Sequence, residues 1–215
     1  MKLYHISDTL KLGETMYQDY KNNLELVVPF VKALEKSEDC FYGMILNAKL
    51  MKSVFGKFGM RDMQTNYAKW ATEGIFEYVR KTEFPESYSR LLSNYFYDNV
   101  ADIKRLFEVD WNMKEKPERF DFHVYEIEVE DDFPQKRDML LFDEAFDAMW
   151  ESDDYRTAFD CARRYFSGEG TAEPVWEIMS DKTAAAVKDI THCLYSFILF
   201  KRSITKVIVT QSAPR

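Results

Sequence analysis

Apolar and polar positions alternate from the start of the chain. In KLYHI, Leu3 and His5 share one face and Tyr4 and Ile6 the other, which predicts a strand ended by Ser7-Asp8. From about Glu14 to Phe58 the spacing turns helical, with Val27, Val28, Val31 and Leu34 on one stripe. Pro29 predicts a break in that stretch, and the polar residues between Glu35 and Asp39 a second junction. Met63, Tyr67, Trp70, Gly74 and Tyr78 mark a helix over roughly 61–82, stopped by Phe84-Pro85. Ser89 to Tyr97 reads as a loop and a short aromatic strand, and Asn99 to Phe107 as a helix with Asp98 as N-cap.

The second half mixes the two periods. His123, Tyr125, Ile127 and Val129 alternate with Val124, Glu126 and Glu128, which predicts a half-exposed strand. Phe142, Phe146, Met149 and Trp150, then Phe159, Ala162 and Phe166, form two helical stripes with a break at Ser152-Asp153. SGEGTAEP is a Gly-rich turn, and PVWEIMSD, AVKDIT and ITKVIVT read as three further strands. The order predicts an α+β fold with an antiparallel sheet, in one domain over 1–215 carrying a helical insertion at 14–58. No Gly-rich fingerprint follows a strand, so a dinucleotide site of the Rossmann type is not expected.

Composition narrows the class. Hydrophobic residues make up 46% and aromatics 16% of 215 residues, enough to bury a core without disulfides or metal. A net charge of −8 disfavours extended contact with nucleic-acid phosphates. Cys40, Cys161 and Cys193 are odd in number and lack ligand spacing, as expected of reduced thiols in a cytoplasmic protein. MKLYHISD is too polar for a signal peptide, and no apolar run reaches about 18 residues, so no membrane span is expected.

Few residues point to chemistry by themselves. His5 is either a hydrogen-bonded strand histidine or a donor to a ligand hydroxyl or phosphate. His123 and His192 have no partner at metal-ligand spacing, so no metal site is expected. Tyr95 and Tyr97, on one side of their strand, are core packing unless one phenol stacks on a flat ring. Glu177 stands out because it shares a strand face with Val175 and Met179, where an unpaired carboxylate is costly unless that face is wet. G-x-S-x-G is absent, and the cysteines lie in helical or apolar text, which argues against a nucleophilic triad.

Taken in order, YHIS at 4–7, YFYD at 95–98 and WEIM at 176–179 resemble the ADP-ribosyltransferase superfamily. The likeness is to the His-Tyr-Glu branch of diphtheria toxin and the poly(ADP-ribose) polymerases, with Tyr97 where that branch has a small residue. Glu73, Phe76, Glu77, Arg80, Phe84, Pro85, Ser89 and Arg90 are similar to a pattern in a poorly characterised bacterial and phage group of the superfamily. The resemblance implies a split antiparallel sheet and NAD as substrate, with transfer of ADP-ribose to a macromolecule. It implies His5, Tyr95 and Glu177 as the catalytic set, with Glu173 as the other candidate glutamate. It further implies that His5, Ser7, Arg90, Tyr95 and Tyr97 hold NAD, with Tyr95 stacked on nicotinamide and Arg90 on the pyrophosphate. A protein target is favoured over nucleic acid by the negative charge. The alternative expectation is a module that keeps the fold and binds a nucleotide or protein without catalysis.

Overall fold

The computed structural model describes residues 2–16, 21–55, 62–108 and 122–193; the strand expected at ITKVIVT lies outside them. The fold is α+β, with two antiparallel sheets and a run of helices inserted after the second strand. The chain forms two units, each assembled from separate stretches of sequence.

The first unit takes 1–17, 96–130 and 183–215. Its sheet orders β1 (Leu3–Ser7), β4 (His123–Val129), β7 (Ala184–Asp189) and β2 (Thr15–Met16), with every neighbouring pair antiparallel. His5 faces Tyr125 in the β1–β4 register. Against β7, β4 shifts register between Glu126 and Ile127, an irregularity that strict alternation does not foresee. Val124, expected on the wetter face, is buried with Ile103 and Ile190. Ile103 belongs to α4 (Val100–Glu108). Its N-cap is Asn99 rather than Asp98, since Asn99 Oδ1 accepts from Asp102 N at 2.8 Å.

The second unit takes 18–95 and 131–182 and holds α1 (Lys21–Lys36), α2 (Glu38–Phe55), α3 (Asp62–Glu83), α5 (Met139–Ser152) and α6 (Tyr155–Ser167). Thr15–Met16, at the start of the stretch expected to be helical, is instead the strand β2, held by pairing with β7, whereas the helix expected over 61–82 is α3. Pro29 does not break α1, which continues to Lys36. An interior proline costs roughly 3 kcal/mol, and burial of Val27, Phe30, Val31 and Leu34 around it offsets that loss. The break comes at Ser37, whose Oγ accepts from Cys40 N and caps α2. Gly74 permits α1 and α3 to touch, because a Cβ there would lie 2.6 Å from Phe30 Cβ.

Helices α5 and α6 separate at Asp153, in the left-handed region at φ 53°, with Asp154 capping α6. β5 (Gln135–Asp138) pairs antiparallel with β6 (Trp176–Ser180), and β3 (Asn94–Phe96) lies on the other side of β6. Asp138 ties this region together. Its buried carboxylate accepts from the N–H groups of Leu140, Thr171 and Val175 and from the Thr171 hydroxyl. A 3-10 turn at Arg90–Leu92 leads into β3. Among the described residues, no helix is long and apolar enough to cross a membrane.

Candidate functional site

Strand β6 is buried on both faces, with Glu177, Ile178 and Met179 inside, and Val175 just before it is buried too. A carboxylate in that position needs partners, since its water is gone. Glu177 has two. Arg90 Nη1 donates to its Oε1 at 2.8 Å, and the Tyr165 hydroxyl donates to the same oxygen at 2.5 Å. Arg90 Nη1 also donates to the Tyr165 oxygen at 2.7 Å, closing a triangle. Among the described residues, Oε2 of Glu177 makes no hydrogen bond.

The guanidinium is enclosed by rings and carboxylates. Its carbon lies 4.0 Å from the Phe142 centroid and 5.3 Å from that of Tyr95, with Tyr165 and Phe76 nearby. Nε donates to Glu73 Oε2 at 3.3 Å. Burial pushes the Glu73 carboxyl above its usual range, against the pull of Arg90. Burial likewise pushes the Tyr165 phenol well up, so it acts as a neutral donor toward Glu177. Arg90 is thus balanced by two carboxylates.

Local sequence explains how Arg90 is held. Glu73 and Glu77 stand four residues apart and share a face of α3. Arg80 grips Glu77 with Nε at 3.0 Å and Nη2 at 2.8 Å, while its Nη1 donates to the Ser87 carbonyl. Ser89 Oγ donates to Glu77 Oε2 at 2.8 Å and accepts from Leu91 N, capping the 3-10 turn. The Tyr95 hydroxyl donates to the Arg90 carbonyl. The glutamates, Arg80, Ser89 and Arg90 of the sequence pattern therefore work as one clamp on the turn that carries Arg90.

The expected site residues divide between the units. Tyr95, Arg90 and Glu177 lie together in the second, whereas His5, Ser7 and Tyr97 belong to the first. His5 sits edge-on to Phe96 at 6.0 Å. Ser7 Oγ accepts from Thr9 N and Leu10 N in the turn after β1. Tyr97 does not continue beside Tyr95. β3 ends at Phe96, and Tyr97 exchanges backbone hydrogen bonds with Tyr4 and packs near Ile103 and Val124. Glu173 is exposed in the loop before β6, which leaves Glu177 as the buried glutamate of the pair.

Two participants escaped the sequence reading. Tyr165 lies in the α6 stripe with Phe159, Ala162 and Phe166, and a phenol buried there needs an acceptor. Arg137 faces Glu177 across the β5–β6 ladder. His123, which has no partner at metal-ligand spacing in the sequence, meets Asp189 Oδ2 at 3.1 Å on the neighbouring strand. Burial raises the Cys161 thiol to about 12, so it is not a nucleophile near neutral pH. No curated protein matches the chain. A family model described as "protein of unknown function (DUF2441)" matches residues 3–192, and the chain belongs to that family.

Proposed function

We propose that the protein is an NAD-dependent ADP-ribosyltransferase whose catalytic carboxylate is Glu177. The observation that carries this reading is the asymmetry of Glu177: Oε1 takes donors from Arg90 and Tyr165, and Oε2 takes none among the described residues. A carboxylate serving only to neutralise Arg90 would gain by using both oxygens in a fork. Support also comes from the order β3–β6–β5, which sets the Tyr95 strand beside the Glu177 strand.

The chemistry asked of the site is modest. The bond between ribose C1′ and the nicotinamide nitrogen breaks, and nicotinamide leaves with the electron pair. A nucleophile on the target forms the new bond to C1′ and gives its proton to water. The ribose passes through an oxocarbenium-like state, which a nearby negative charge stabilises more than the ground state. Oε2 of Glu177 would accept from the ribose 2′-hydroxyl, with Arg90 and Tyr165 fixing the carboxylate so that no reorganisation is needed. Tyr95 would offer its ring face to nicotinamide. A protein acceptor suits the net charge of −8 better than nucleic acid.

The second reading is a binding module without turnover. It is favoured by the donation of Arg90 to Glu177 Oε1, which draws off part of the charge the reaction needs. Nicotinamide release from NAD, followed over hours with and without a lysate as acceptor, separates the two. Release by the wild type, and its loss by roughly 100-fold or more in Glu177→Gln, is the expected result. NAD binding without release establishes the module instead.

A further inference from the structure

We propose that Arg137 is the receptor for a pyrophosphate group in the second unit, on the strand facing Glu177. The inference rests on the transferase reading only for the identity of the nucleotide. Arg80, Arg90, Arg163 and Arg164 each have a carboxylate partner within 4 Å. Arg137 has none among the described residues, although it is half-buried. Its contacts are neutral oxygens: Nη1 donates to the Lys136 carbonyl at 2.8 Å, and Nη2 to Gln135 Oε1 at 3.1 Å and weakly to Ser87 Oγ. Its Nε–H is buried and bonds to nothing among the described residues.

A guanidinium stays charged at every physiological pH, so a half-buried one without a counter-charge gains by taking up an anion. Burial pulls the Arg137 guanidinium below its usual value, the direction expected where a counter-ion is missing. Its planar fork suits two phosphate oxygens. The approach is open beside Gly168, where an added Cβ would meet only Nη1, at 4.0 Å. Because Arg137 and Glu177 oppose each other in register, their side chains leave the ladder on one face, with Cβ atoms roughly 5 Å apart. In NAD the pyrophosphate hangs from the same ribose whose 2′-hydroxyl Glu177 would hold. One nucleotide can therefore reach both. Arg90, to which the resemblance assigns this group, is already balanced by Glu73 and Glu177.

Titration calorimetry of the full chain with ADP and with inorganic pyrophosphate tests the assignment. Wild type should bind both, and Arg137→Gln should weaken binding roughly tenfold or more. Gly168→Asp places a carboxylate against Nη1 and should weaken binding similarly, while Gly168→Asn, with the same backbone strain and no charge, should not. The Gly168 pair decides the matter if Arg137→Gln does not fold. Binding that is absent in wild type, or equal in Gly168→Asp and Gly168→Asn, overturns the proposal. ADP binding through Arg137 in a protein that never releases nicotinamide supports this subsite and removes the transferase reading. Nicotinamide release with ADP affinity indifferent to both substitutions does the reverse.

Discussion

Glu77 and Glu177 are two buried glutamates of one unit, each with an arginine and a hydroxyl as partners, and they differ in how their oxygens are used. Arg80 takes both oxygens of Glu77, and Ser89 adds a third bond. Arg90 and Tyr165 converge on one oxygen of Glu177 and leave the other without a partner among the described residues. A saturated carboxylate has no capacity left for a ligand, and its energy goes into shape. A carboxylate anchored through one oxygen is oriented but still able to accept a bond. Glu77 therefore reads as the fastening of the Arg90 turn, and Glu177 as the working group that the turn positions.

The comparison breaks first if Glu77 proves dispensable for folding. Glu77→Ala leaves Arg80 uncompensated and frees Ser89, and should cost roughly 3–5 kcal/mol in denaturant unfolding. A smaller effect follows from Tyr165→Phe, which removes one donor from Glu177 while keeping the ring. It should cost roughly 1.5–3 kcal/mol, by the same measurement. The smallest effect is a change of slope with pH. Burial raises the folded carboxyl of Glu73 above 4.5, so the folded state holds that proton longer than the unfolded chain. Its contribution to stability is full below 4.5 and is lost as pH rises through the folded value. Wild type should accordingly lose stability relative to Glu73→Gln as pH rises, read from unfolding midpoints at successive pH values.

Much of the fold was legible because period and capping agree locally. The stripes on α5 and α6, the break at Ser152-Asp153 and the β6 strand all follow from spacing. β5 was missed because QKRD has no apolar alternation; it is a strand through pairing with β6. Pro29 misled because the packing of α1 outweighs a local rule. At the candidate site, Glu177 was visible as a charge in apolar text. Tyr165 reaches it only through tertiary pairing, 12 residues away, and Arg137 stands opposite it only through the pairing of β5 with β6. Arg90 was visible as a cation, but its two carboxylates come from α3 and β6, at separations of 17 and 87 residues. No local pattern carries that information.

The most direct test of the central claim is the rate of nicotinamide release from NAD per folded molecule in Glu77→Gln and Glu177→Gln, set beside wild type. Gln keeps an acceptor at Oε1, so Glu177→Gln should lose only roughly 1–2 kcal/mol of stability while its release rate falls roughly 100-fold or more. Glu77→Gln should lose stability and keep the wild-type rate in its folded fraction. Wild-type release by Glu177→Gln, or an equal fall in both variants, would contradict the assignment of Glu177 as the working carboxylate.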